Sequence, residues 1–173
     1  AIVVGRLIAA RHATRGADAD AKPMVAFLTA PYIDHVTQLK DQLGGVLKQQ
    51  FGPGWNSIVE LVAEDNVPSA TQLKARLKAG ARVFLSTDTS APLLLSLARH
   101  AQKRGHPILS IKDEAHYNSG HDAASTQLLA LGDVGVACTA TPDGDVMDLP
   151  DLKLTLQFPL DEAIAKGWCA DYR

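Results

Sequence analysis

The chain has 173 residues, 46% of them hydrophobic and 21% charged, with a formal net charge of -2. That length and balance suit one packed globular unit and exclude wholesale disorder. The near-neutral charge excludes polyanion recognition through overall charge alone, so any such contact needs local clusters.

The opening segment "AIVVGRLIAARHA" places Ile2, Val3, Leu7, Ile8 and Ala10 on one helix face, and Arg6 and Arg11 interrupt its apolar stretch. It reads as a helix, not as a signal peptide. "RGADADAKP" is a polar loop, and "MVAFLTAP" is a short apolar run ended by proline, the pattern of a buried strand. In "YIDHVTQLKDQLGGVLKQQF", Ile33, Val36, Leu39, Leu43 and Leu47 recur at helical spacing. Gly44 and Gly45 weaken that helix by about 1 kcal/mol each, and "GPGWN" closes it.

The alternation continues. "SIVELVA" is a strand, "VPSATQLKARLKAG" a helix opened by proline and serine and closed by Gly80, and "RVFLSTD" a strand. "SAPLLLSLARHAQKRG" is a helix with basic residues in its last turn, where they offset the negative end of the helix dipole. "HPILSIK", "HDAASTQLLALG", "DVGVACTATP" and "LKLTLQF" follow as strand, helix, strand and strand. No apolar run reaches the roughly 18 residues needed to span a membrane. Cys138 and Cys169 lack the spacing of a zinc site or a disulfide framework, which points to a reducing, intracellular setting, cytoplasmic or nucleoid-associated.

Regular alternation of strand and helix predicts an α/β fold, a mainly parallel sheet with helices on both faces and ligands at the carboxyl ends of the strands. Polar residues collect there: Thr29 after the first strand, Ser86, Thr87 and Asp88 after a later one, Asp113, Glu114 and His116 after the next, then Thr139 and Thr141. Basic clusters at Arg6, Arg11 and Arg15, at Lys74, Arg76, Lys78 and Arg82, and at Arg99, Lys103 and Arg104 read most simply as solvated helix faces.

The stretch "SIKDEAHYNSG" carries the most chemistry. A carboxylate at the end of a buried strand can hold a magnesium ion through its waters, which suits Asp113. Glu114 can polarise a water that attacks a terminal phosphate, and His116 can bond to a neighbouring strand end. The plain alternative is a capped turn before the helix that starts near His121. A hydrolase metal site of Asp113, His116 and His121 lacks the spacing of the usual helical zinc motif.

"DEAH" after an apolar strand, followed one helix later by "CTATP", resembles motifs II and III of superfamily 2 helicases and translocases. "VAFLTAPYIDHVTQL" is similar to motif Ia with its helix, "VFLSTDTSAPLL" to the motif Ib region, and "FPLDEAIAKGWCADYR" to the segment leaving the first motor domain in restriction-enzyme motor subunits. The resemblance implies a RecA-like P-loop NTPase fold over residues 1–158, truncated at its start and lacking its first strand and phosphate loop. Residues 159–173 would begin the connection to a second RecA-like domain. It implies ATP and Mg2+ as ligands, with Asp113 holding the metal and Glu114 activating water. His116 with Thr139, Ala140 and Thr141 would couple the nucleotide to movement, while Thr29, Ala30, Pro31, Thr87 and Asp88 would lie along nucleic acid, DNA in preference to RNA. Lys112 departs from the family, which carries an apolar residue there; it is expected to snorkel from the strand end or to compete for Asp113. No glycine-rich loop ending in Lys-Ser or Lys-Thr occurs in the sequence, so the isolated chain is expected to hydrolyse ATP negligibly and the activity to belong to a longer parent. The alternative is a RecA-like binding module that has lost its phosphate loop and its catalysis.

Overall fold

Six consecutive residues without a charge, Val25 to Ala30, are all buried. A run buried on both sides needs cover from both sides, which places it inside a parallel sheet. A computed structural model describes residues 22–62, 67–117, 120 and 123–139. They form β1 (Val25–Ala30), α1 (Ile33–Phe51), β2 (Val59–Val62), α2 (Ala70–Ala79), β3 (Val83–Thr87), α3 (Ala91–Lys103), β4 (Ile108–Lys112), α4 (Ala124–Leu131) and β5 (Val134–Ala137), with 3-10 turns at Gly52–Ile58 and Asp88–Ser90. The opening helix, the strand at "LKLTLQF" and the connection at 159–173 lie outside the described residues.

All five strands are parallel, in the order β2-β3-β1-β4-β5. From β1 the chain first travels to β2 and then returns across the sheet, and right-handed crossovers convert that reversal into helices on opposite faces. Ala26, Leu28 and Ala30 of β1 accordingly pack with Val36, Leu43 and Leu47 of α1. Val25 and Phe27, one residue out of phase, pack with Leu73 and Leu77 of α2, with Leu94, Leu97 and Ala98 of α3 and with Leu128 of α4. Phe27 and Phe84 stand opposite each other on β1 and β3, their rings stacked with centroids 5.6 Å apart. Such a buried aromatic pair contributes about 1 kcal/mol beyond the area it removes from water.

Local signals fix the helix ends. Ser69 accepts from the Gln72 N–H while the Gln72 side chain accepts from the Ser69 N–H, a reciprocal cap at the start of α2. Gly80 ends the same helix at φ 121°, a conformation that favours glycine, and its N–H returns to the carbonyls of Arg76 and Leu77. Pro92 sits in the first turn of α3, where its missing N–H costs nothing. Among the described residues no helix is long and apolar enough to cross a membrane.

Candidate functional site

β1 sends its chain to the α1 face, whereas β4, its neighbour, sends its chain to α4 on the other face. The loops therefore diverge between the carboxyl ends of these two strands, and a crevice opens at that switch point. A cleft of about 220 Å³ occupies it, lined by His35, Gln38, Leu39 and Gln42 of α1 and by Asp113 and Glu114 after β4.

Backbone bonds hold the Asp113–Ala115 turn between its neighbours. The Asp113 N–H donates to the Thr29 carbonyl of β1 and the Ala115 N–H to the Cys138 carbonyl after β5, both at 2.8 Å. Ala115 is fully buried, which anchors the turn, while Asp113 and Glu114 remain partly exposed towards the cleft. Glu114 sits at φ 49° and is the only non-glycine residue with positive φ among those described. A left-handed backbone costs an ordinary side chain roughly 1–2 kcal/mol, and the two flanking bonds hold Glu114 in it at the wall of the cleft.

His116 follows on the same turn. Its Nδ1 shares a 2.8 Å hydrogen bond with Thr139 Oγ1 and lies 3.5 Å from a Glu114 carboxylate oxygen. One imidazole thus touches both the carboxylate over the cleft and the chain leaving the next strand. Tyr117 packs on His116 with ring centroids 4.5 Å apart and edge-to-face on Tyr32 at 5.8 Å, and Tyr32 meets His35 at 5.4 Å. Tyr32 and Tyr117 are exposed, and Tyr32 joins this aromatic cluster to the cleft-lining His35. The Cys138 thiol behind it is pushed up by burial first and by the Asp113 charge next, which keeps it protonated and unreactive.

Sequence reasoning and structure agree in bringing Asp113, Glu114, His116 and Thr139 together. Ala140 and Thr141 lie outside the described residues. Thr29, Ala30 and Thr87 are buried, and so are the carboxylate oxygens of Asp88. Alternation turns the side chain of Thr29 towards α3 and α4 and those of Ala30 and Thr87 towards α1, under the helices that cover the sheet. Backbone and the partly exposed Pro31 remain the surface of that region.

The expected behaviour of Lys112 is corrected. It does not snorkel: only 1% of its surface is exposed. Its position on β4 aligns with Thr29 of β1, and its Nζ lies 3.4 Å from Thr126 Oγ1 of α4. Burial pushes its ammonium down, and the Asp88 charge opposes that shift. Asp88, not Asp113, is the carboxylate that answers Lys112.

Sequence reasoning missed Tyr32, His35, Gln38 and Gln42. The available signal was the polar stripe His35, Gln38 and Gln42 at helical spacing beside the apolar face of α1. Asp113 and Glu114 present oxygen donors suited to a hydrated magnesium ion, and among the described residues no group of three His, Cys, Asp or Glu could enclose a metal by itself. A magnesium ion here would be shared with a ligand's own oxygens. No family model matches the chain, and no curated protein matches it at a significant level.

Proposed function

We propose that this chain is a RecA-like motor domain of a superfamily 2 nucleic-acid helicase or translocase, in which ATP hydrolysis drives movement along DNA or RNA. The observation that carries the reading is the His116–Thr139 hydrogen bond of 2.8 Å. It joins the stretch resembling motif II to the stretch resembling motif III at the switch-point cleft, where a nucleotide's terminal phosphate would need both.

In this reading Asp113 would hold a magnesium ion, which supplies neutralising charge to the phosphate oxygens. The Glu114 carboxylate accepts a hydrogen bond from the attacking water and orients it. His116 senses the position of Glu114 and passes it to Thr139, so occupancy of the cleft is felt at the end of β5. Among the described residues β5 pairs with β4 alone. A phosphate-loop strand added at its outer edge would end two strand spacings, about 10 Å, from β4, close enough for its loop to meet Asp113. The outer edge of β2 is twice as far from β4.

Nucleic-acid-stimulated ATP turnover by the natural protein tests this. Glu114→Gln should lower turnover at least about a hundredfold while leaving ATP binding intact, and His116→Ala or Thr139→Val should retain ATP binding and lose stimulation. Normal turnover in Glu114→Gln discards the assignment. The missing Lys-Ser or Lys-Thr loop within the 173 residues favours a second reading, a RecA-like binding module without catalysis. Failure of the natural protein to bind ATP would establish that one.

A further inference from the structure

Away from the Asp113 cleft, two clefts of about 450 and 480 Å³ run between α2 and α3 and share Lys74 and His100. Their walls carry six side chains that are positive at neutral pH: Lys74, Lys78, Arg82, Arg99, Lys103 and Arg104. His100 and His106 also line them, and no carboxylate lines either cleft among the described residues. Lys74, Lys78, Arg99, Lys103 and Arg104 are all exposed.

The second cleft runs along α3 from Pro92 in its first turn to Lys103 in its last, and the first lies at the amino end of the sheet. Helices that return antiparallel to parallel strands bring their carboxyl ends there, and the last turns of α2 and α3 carry Lys78 and Lys103. β4 and its five residues separate this end from Asp113 by about 17 Å.

Offsetting helix dipoles accounts for only part of this charge. Two helix carboxyl ends together present about one negative charge, against six cations. Lys74 with Lys78, and Arg99 with Lys103, stand four residues apart on their helices, where like charges cost about 0.2–0.5 kcal/mol per pair. Among the described residues the one carboxylate paired with a basic residue of α2, Glu60, holds Arg76, which does not line the groove. Local stability therefore does not explain the arrangement, whereas an anionic occupant does.

We propose that the α2–α3 groove is a nucleic-acid-binding surface that grips the phosphodiester backbone, separate from the Asp113 cleft. Spread cations along an open groove suit an extended polyanion better than a small one, which needs donors converging on a point. Lysine and exposed arginine at this spacing neutralise successive phosphates without reading bases. The surface stands on its own charges and does not depend on Glu114 activating water.

His100 supplies an additional readout. Burial first, then the charges of Arg104, Lys74, His106 and Lys103, hold its imidazole below the ordinary value. A bound polyanion reverses that repulsion and favours the protonated ring, so binding takes up a proton and tightens as pH falls through the histidine range.

Fluorescence anisotropy of the chain with a labelled DNA oligonucleotide, single-stranded and as its duplex, tests the proposal. Lys74→Ala combined with Lys103→Ala should weaken binding roughly tenfold or more and flatten the dependence of log affinity on log salt by about 1.5, the share of two phosphate contacts. Lys40→Ala with Lys48→Ala, an equal charge loss on α1, should leave binding unchanged, and circular dichroism checks that both double variants are folded. Glu114→Gln should bind as wild type does, which separates this surface from the motor reading. Equal losses in the two double variants would overturn the proposal. Binding only to inorganic pyrophosphate or to phosphatidylserine vesicles, with no binding of either oligonucleotide, would overturn it too.

Discussion

Lys112 shows how one residue ties the sheet to the helices above it. A lysine in the last position of a buried strand must either reach water or find an anion, and its 1% exposure leaves only the second course. Asp88, from the turn after β3, supplies the charge that opposes its lowered affinity for a proton. Asp88→Asn should lower stability in urea unfolding, because it removes the charge that opposes the cost of burying the Lys112 ammonium. Adding Lys112→Met should restore most of that loss, since a methionine fits the slot without a charge. The pH dependence follows from the direction of the shift. The folded chain binds the Lys112 proton less tightly than the unfolded chain, whose lysine keeps the ordinary value of 10.5. Stability therefore rises with pH between the lowered value and 10.5. The double variant lacks this rise, so wild type should gain stability relative to it as urea unfolding is repeated at increasingly alkaline pH; a constant difference would exclude a buried, titrating Lys112.

Helix α1 separates what a propensity argument can and cannot see. Two adjacent glycines weaken any helix interior, and the sequence shows both at 44 and 45. Their surroundings differ: a methyl group at Gly44 would lie 2.7 Å from Cη2 of Trp55, whereas one at Gly45 would meet nothing within 4 Å. Gly45→Ala should therefore stabilise the fold by about 1 kcal/mol. Gly44→Ala gains the same propensity but must push a large, half-buried indole out of its contact with α1. A net loss of about 1 kcal/mol is expected, and urea denaturation of the two variants should show shifts of opposite sign. The boundaries of α2 were legible in advance, because Ser69 and Gly80 are local devices that act through adjacent backbone. Those of β5 were not. The run "DVGVACTATP" reads as one strand, yet the strand ends at Ala137, where Thr139 instead turns its hydroxyl to His116.

At the scale of the whole molecule the five parallel strands share stability unequally. β1 is hydrogen-bonded on both sides and covered on both faces, while β2 and β5 are the outermost strands among the described residues. Native-state hydrogen exchange should find the slowest amides in β1 and its neighbours β3 and β4, with faster exchange in β2 and β5. Uniform protection across the sheet would contradict this ordering.

The sequence by itself determined the alternation of strand and helix, the caps of α2 and the cluster of carboxylates after β4. Each is set by residues within a few positions of one another. It also carried the cations of α2 and α3, but as separate runs that read as solvated faces. Only the tertiary structure brought those runs to the two walls of one groove, set His116 against Thr139, and buried Thr29, Thr87 and Lys112. Strand order decided each of these. In a parallel sheet the partner of a residue is fixed by which crossover passes which face, and distance along the chain carries no record of that choice.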